Sequence, residues 1–541
     1  MNESDRQRDE TVGQSGTVPD SEVGQRAAVE VAGVTLGLPH LFGIVTIAAV
    51  LVRLAFVTDV PMSWDSVQYI LGVLHFDIPN HEPHPPGYFL YIMLARALAG
   101  TGLQPHTALV AISVAAGALT AGIVAVWSAR VMGMQAGWLA ALIVILSPSA
   151  MYFSTRGDTY AMSGLFSALV GYLCWRVMTN DDEPLWPSAV ALAIAGGIRP
   201  TDAAFLFPLW LWCAWKKGGG KVAANIAIMG LITAAWLLPM LAMTGGLARY
   251  RQASGELSRW VFTMIPLKNP GYLGEYALMF LGAVAYLMGG TWPAVLLTRA
   301  ADFVESRHGR VTIFFALWTL PALVFFITIH LGQSGYLMLQ LPAAALLVTS
   351  GVTGIQRRLG KNRLPLFIGA VVVINGMLIF TRVHRPAQGA EMIMDQARRV
   401  LATFDSQDTA VIAPLPAFSD PDSKREAPVW SAFGFRRVMY AAPHLRAYVF
   451  PLEAPEHVGG GPNFGHRMKS SHLPAPVTLE GVANLLVLDS SLLEYLPEGA
   501  QHETLMQRGR AEIYRVTVSP QSPVILGPGT ALDFQPSTEP R

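Results

Sequence analysis

Apolar residues in this chain run in long blocks broken by short polar stretches. Thr107 to Ser128 and Val311 to Ile329 carry no charged side chain. Each is long enough, at roughly 20 residues, to cross the hydrocarbon core of a bilayer as a helix. The same pattern predicts membrane helices over Leu36–Val57, His106–Ala129, Gln135–Tyr152, Thr159–Met178, Leu185–Ile198, Thr201–Trp215, Val222–Met243, Tyr272–Leu297, Val311–His330, Tyr336–Ser350 and Leu364–Phe380. The expected fold is mainly α: a polytopic transmembrane helix bundle of about 11 spans with a small extracytoplasmic α/β C-terminal domain. The fifth and sixth blocks are short and meet at Arg199–Pro200, so one broken hairpin is an alternative for that pair.

Between the blocks lie two kinds of polar segment. Residues 1–34 are rich in Ser, Gly and Glu, which cannot build a core, and are expected to form a disordered cytoplasmic tail. No apolar region follows a basic start near Met1, so the first block reads as an uncleaved anchor. Residues 35–382 form the transmembrane part, with a long first outside loop at 58–105, and residues 383–541 the C-terminal domain. Within the loop, Asp65–Phe76 and Tyr88–Leu98 have helical apolar spacing but are too short to span, so they are expected to lie along the interface. In the C-terminal domain Ala390–Phe404 reads as a helix, and Thr409–Pro414, Tyr448–Leu452, Asn484–Asp489 and Ala511–Val518 as strands. The Pro-rich stretches 414–428 and 519–541 read as long loops and a loose tail.

Composition sharpens this picture. Only 14% of the 541 residues are charged and 52% are hydrophobic, against about 25% charged in soluble domains. A net charge of +1 argues against nucleic acid as a partner. Cys174 and Cys213 lie in apolar blocks and suggest packing rather than a disulfide framework. The loop charges are one-sided: Arg130, Arg176, Lys216, Lys217, Lys221, Arg299, Arg307, Arg310, Arg357, Arg358, Lys361 and Arg363 all fall on one face if the N-terminus is cytoplasmic. An odd number of spans then places everything after Arg382 outside.

The opposite face receives the candidate chemistry. Asp65 follows the first span, with Tyr69 one helical turn later on the same face. A carboxylate there is either a proton acceptor or the cap of an interfacial helix, since Ser63-Trp64-Asp65-Ser66 is good N-cap chemistry. His84-Pro85-Pro86-Gly87-Tyr88 fixes an extended approach to a turn, and His84 could hold a substrate or simply face water. His81 and Glu82 nearby would allow a small metal site, but no spacing resembles a dedicated zinc site, and no metal or other cofactor is expected. Arg53, in the last turn of the first span, either snorkels to the interface or faces an anionic ligand. Arg199 and Asp202 form either a self-contained salt bridge or part of a site. His330, Gln333 and Tyr336 at one helix boundary either orient a ligand or cap the span.

Leu51-Val52-Arg53-Leu54, the outside loop with Asp65 and Tyr69, and His84-Pro-Pro-Gly-Tyr-x-Leu-Tyr91 together resemble the C-type integral membrane glycosyltransferases, in the protein O-mannosyltransferase and aminoarabinose transferase-like branch. His330-x-x-Gln-x-Gly-Tyr336 before Pro342 is similar to their last outside-loop motif, and Arg156-Gly-Asp158-Thr-Tyr160 to a turn with an acidic residue before Tyr. The resemblance covers residues 36 to about 382; it departs at Asp65, a single acid where mannosyltransferases carry an adjacent pair. It implies transfer of a sugar from a polyprenyl-phosphate carrier to an extracytoplasmic acceptor hydroxyl on a protein, lipid or glycan. Asp65 would be the base, and Arg53, Tyr69, His84, Asp158, Tyr160, Arg199, His330, Gln333 and Tyr336 would bind substrate. Arg53, Arg199 and His330 are the expected cations for the leaving phosphate, and membrane lipid surrounds the bundle. A transporter or flippase, or a non-catalytic scaffold, are the competing classes; a transporter would place ionisable residues and broken helices near mid-membrane.

Overall fold

The computed structural model describes residues 29–31, 34–263, 273–292, 308–331, 333–359, 364–414, 435–450, 477–508, 511–519, 521–526 and 532–533, and the isolated positions 265, 268 and 271. Arg299, Arg307, Lys361 and Arg363, most of the stretch 414–428 and the last eight residues lie outside them. The tail expected over 1–34 ends in a two-stranded antiparallel pair, β1 (Val29–Val31) and β2 (Val34–Leu36).

Each of the apolar blocks contains a helix. In chain order these are α1 (Leu38–Leu54), then the loop helices α2 (Trp64–Leu74) and α3 (Phe89–Ala99), then α4 (Pro105–Met132), α5 (Met134–Ile145) and α6 (Pro148–Ser154). They continue as α7 (Tyr160–Thr179), α8 (Trp186–Ile198), α9 (Pro200–Trp215), α10 (Gly219–Thr244), α11 (Leu247–Thr263), α12 (Leu273–Met288), α13 (His308–Thr328), α14 (Leu341–Leu359) and α15 (Leu364–Ile379). Among the described residues, seven helical segments, built on α4, α7, α10, α12, α13, α14 and α15, are long and apolar enough to cross a membrane, and α5 with α6 makes an eighth bent by 61°. The bend falls at Leu146–Ser147–Pro148, where proline removes a donor and Ser147 caps α6 instead. The other three blocks give the short helices α1, α8 and α9. The last two form a hairpin about Arg199, closed at its far end by a hydrogen bond from Trp210 Nε1 to Ser188 Oγ at 3.1 Å. The chain is thus a multi-pass membrane protein with the helical fold expected. The amphipathic helix α11 falls between the apolar blocks Val222–Met243 and Tyr272–Leu297, where the apolar pattern predicts no membrane helix.

Helix α15 does not stop at the membrane. It passes through a π-helical turn, Phe380–His384, into α16 (Arg385–Leu401), making one 38-residue rod, about 57 Å long at 1.5 Å per residue. Beyond it lie the strands β3 (Thr409–Pro414), β4 (Arg446–Phe450), β5 (Val477–Leu479), β6 (Asn484–Val487), β7 (His502–Arg508), β8 (Ala511–Thr517), β9 (Val524–Leu526) and β10 (Leu532–Asp533), with helix α17 (Phe435–Ala441) before β4. Five form a mixed sheet in the order β4-β3-β6-β8-β7, parallel at β4-β3-β6 and antiparallel beyond; the others form the three-stranded sheet β10-β9-β5. Strand β6 is buried along its whole length, as a parallel strand covered on both faces must be. Strands β9 and β10 lie where the sequence suggested only a loose tail.

One face of this domain is joined to the first loop. Val60, Val67 and Leu71 share an apolar cluster with Met394, Ala397 and Leu401 of α16, Val438 and Met439 of α17, and Val411 of β3. Arg437 Nη2 donates to the Met62 carbonyl at 3.2 Å, and the Asp59 amide donates to Glu391 Oε1 at 3.2 Å. The first loop and the C-terminal domain therefore lie at the same end of the bundle. The opposite end carries the Arg176–Glu183 ion pair and Lys217 bonded to the Asn180 and Asp181 carbonyls. Helix α7 connects the two ends: its 20 residues span about 30 Å, the thickness of a bilayer core.

The basic-loop asymmetry gives this geometry an expected orientation. Cysteines placed at Thr101 and Gln407 should label with a membrane-impermeant thiol reagent in intact cells, and one at Gly220 should not. Labelling at Gly220 alone would reverse the orientation.

Candidate active site

The site is built where α2, the turn before α7, the α8–α9 corner and the segment before α14 meet. Helix α2 begins at Ser63, whose hydroxyl accepts the Ser66 amide at 2.9 Å. Ser63 is thus the N-cap, and Asp65 is released from that role. The Asp65 carboxylate instead accepts a hydrogen bond from Gln333 Nε2 at 2.8 Å and lies in the field of Arg199. Burial pushes its carboxyl up to about 6, against the opposing pull of Arg199 and Gln333.

A second carboxylate arrives from far along the chain. Asp158 Oδ1 accepts hydrogen bonds from Ser63 Oγ and Ser66 Oγ, both at 2.8 Å. Its backbone is held by Ser113 Oγ on α4, which donates to the Asp158 carbonyl at 3.1 Å. Asp158 is likewise pushed up to about 6, by burial first and then by the neighbouring Asp65. Asp65 is therefore one of two carboxylates at the start of α2. The serines beside Asp65, read only as capping residues, are what join the two.

Arg199 supplies the cation. It is the corner residue between α8 and α9, and its guanidinium lies beside two aromatic rings, 4.5 Å from the Tyr160 centroid and 4.4 Å from the Tyr336 centroid. The two ring centroids are 5.7 Å apart, so both rings lie toward the same side of the guanidinium rather than sandwiching it. Its Nε sits 3.7 Å from Asp202 Oδ1, and Nη1 donates to Thr159 Oγ1 at 3.4 Å. The salt bridge expected as one reading is present, and Arg199 also faces Asp65. Tyr336 reaches Arg199 because Gly335 precedes it: a Cβ there would come within 2.5 Å of the Tyr160 ring.

His330 packs edge-on against Tyr336, ring centroids 5.8 Å apart. Burial and then Arg199 push its imidazole down to about 4, so it is neutral near pH 7 and is not a second cation. Tyr69 shares the Asp65 face of α2, its hydroxyl 3.5 Å from Thr159 Oγ1. His84 is half-buried rather than turned to water: Nε2 lies 3.1 Å from the Tyr88 hydroxyl, and its ring is 5.6 Å from Tyr69. Tyr88, which was not singled out, takes a left-handed backbone at the start of α3 and packs 5.1 Å from Tyr69. Among the described residues no group of His, Cys, Asp and Glu is arranged to hold a metal ion.

Arg53 lies elsewhere. It neither snorkels nor contacts the Asp65–Arg199 group; it is fully buried, with Nη1 donating to the Ala49 carbonyl at 3.1 Å. A Cβ on Gly117 would come within 2.8 Å of its Nε and 2.1 Å of Ser154 Oγ, so it is wedged between α4 and α6. Its burial near the end of α1 closes the route to the interface that a snorkelling side chain needs.

No family model matches the chain, and no curated protein matches it. Among solved structures, ArnT from Cupriavidus metallidurans in the apo state aligns at 12% identity and a TM-score of 0.54, over 88% of this chain and 97% of its own. The same protein bound to undecaprenyl phosphate aligns at 13% identity and 0.54, over 89% and 98%. At that identity the likeness is one of fold, and it extends through both the bundle and the C-terminal domain.

The cap assignment has a direct test. Ser63→Ala removes the cap and one donor to Asp158, and should lower stability by at least about 1 kcal/mol in thermal unfolding of the purified protein. Asp65→Asn should cost less, since Asp65 caps nothing.

Proposed function

We propose that the chain is a membrane glycosyltransferase that moves a sugar from a polyprenyl-phosphate carrier to an acceptor hydroxyl at the face bearing the C-terminal domain. The observation that carries this reading is the pairing of a half-buried carboxylate, oriented by an amide, with a buried guanidinium held beside two tyrosine rings. The fold shared with ArnT, which has been solved with undecaprenyl phosphate bound, supports the carrier class.

In this reading Asp65 takes the proton of the acceptor hydroxyl as its oxygen attacks the anomeric carbon. The bond from that carbon to the phosphate oxygen breaks, and its electron pair leaves with the lipid phosphate. The products are the glycosylated acceptor, the lipid phosphate and a proton on Asp65 that returns to water. Arg199 faces the phosphate as its charge grows, which lowers the transition state more than the ground state. Gln333 donates to one oxygen of Asp65 and leaves the other for the acceptor. A carboxyl raised to about 6 is a stronger base than an ordinary aspartate yet mostly ionised at pH 7. Tyr69, Tyr88, Tyr160, Tyr336 and His84 offer ring faces and hydroxyls to a sugar. Asp158 binds Ser63 and Ser66 and so fixes the start of the helix that carries the base.

Asp65→Asn keeps shape and removes the proton acceptor, so turnover should fall by roughly 10² to 10⁴ while stability holds. The assay is release of lipid phosphate from labelled polyprenyl-phosphate sugars; near-normal turnover would remove Asp65 from the mechanism. An Arg199–phosphate contact contributes roughly 1.5–3 kcal/mol, so Arg199→Ala should weaken donor binding about tenfold to a hundredfold. Unchanged donor affinity would leave Arg199 as a structural partner of Asp202.

The pH profile follows from the sign of the Asp65 shift. The base works ionised, so kcat/KM should be flat above its value of about 6 and decline with acidification below it. A limb centred near the ordinary aspartate value of about 4 would count against a half-buried base.

A further inference from the structure

The turn that carries Asp158 also carries Arg156, a buried cation for which the proposed transfer has no use. A buried guanidinium without a partner is costly, so its surroundings should reveal what compensates it. Tyr152 covers one face, with the guanidinium carbon 3.4 Å from the ring centroid. That contact satisfies no N–H. Arg156 Nε and Nη2 have no hydrogen-bond partner among the described residues. These two nitrogens lie along one edge of the guanidinium, and their parallel N–H bonds form the fork that grips two oxygens of a carboxylate or phosphate. The Tyr286 hydroxyl is also buried and without a partner among the described residues, its ring edge-on to Tyr152 at 6.5 Å. Asp158 commits its bonded oxygen to Ser63 and Ser66 instead. Arg382 lies nearby: it stands exposed on the π-helical turn after α15, where its neighbour Val383 packs in one apolar cluster with Met151 and Tyr152.

We propose that Arg156, Tyr286 and Arg382 form a second oxyanion subsite, for a phosphate group, apart from the Arg199 site and at the level where a membrane-crossing helix ends. Arg156 grips two oxygens through its Nε–Nη2 edge, Tyr286 donates to one of them, and Arg382 closes the outer side. A headgroup phosphate at the membrane boundary and a free phosphate share this chemistry. The subsite does not depend on the proposed transfer.

The test uses the purified full-length chain, with binding read by isothermal titration of short-chain phosphatidic acid, diacylglycerol of the same chains, and inorganic phosphate. Phosphatidic acid should bind and diacylglycerol should not. Arg156→Lys keeps the charge and loses the fork, and should weaken binding by about tenfold or more; Tyr286→Phe, which removes one donor and keeps the shape, should weaken it severalfold. The binding that Arg156→Lys weakens should persist in Arg199→Ala, whatever phosphate binding the Arg199 site itself loses. If phosphatidic acid alone binds with this sensitivity, the subsite takes a lipid headgroup; if inorganic phosphate binds with the same sensitivity, it takes the free ion as well. Binding that is indifferent to both Arg156→Lys and Tyr286→Phe, or lost only in Arg199→Ala, overturns the proposal, as does the absence of binding by both phosphates.

Discussion

The constraint on which the rest depends is the burial of charge at one end of an apolar bundle. Asp158 and Arg199 lie out of water, and Asp65, half-buried, sits beside Asp158 and opposite Arg199. Each ion would be costly alone. Together they are tolerable because every one is gripped: Asp65 by Gln333, Asp158 by two serines, Arg199 by Asp202, Thr159 and two aromatic rings. The grips come from α2, α7, α9 and the segment before α14. Those four elements must therefore meet at one place, and the packing of the bundle end follows from that requirement.

The same requirement explains how the C-terminal domain is attached. Helix α2 has two working faces. Asp65 and Tyr69 look toward the turn before α7, while Val67 and Leu71 enter a cluster with α16 and α17. A short loop helix has too few internal contacts to hold a carboxylate in one place. The domain supplies the missing contacts through that cluster, the Arg437–Met62 bond and the Asp59–Glu391 bond. Continuity of α15 through the π turn into α16 then fixes the domain to the membrane part. The domain is placed to stiffen the helix that carries Asp65.

Sequence alone determined what periodicity and solvation decide. A run of about 20 uncharged apolar residues has one stable solution in lipid, a helix that satisfies its own backbone. Hence the eleven blocks, the two helices of the first loop and the α/β character of the last part were all legible, as was the strand Thr409–Pro414 to the residue. Helix α11 and strands β7, β9 and β10 were not. The first is amphipathic rather than apolar, and the strands are short or mostly exposed, so their order comes from pairing with distant partners. Asp65, Tyr69, His84, Arg199, Gln333 and Tyr336 could be named because polar groups at the ends of apolar helices are few. Which of them meet was decided only by the tertiary structure. Nothing local ties Asp65 to Gln333, 268 residues on, or Ser66 to Asp158, 92 residues on. Nothing local makes His330 neutral, buries Arg53 between α4 and α6, or leaves one edge of Arg156 open. Those outcomes depend on which side chains exclude water from which others, and that is a property of packing between helices far apart in the chain.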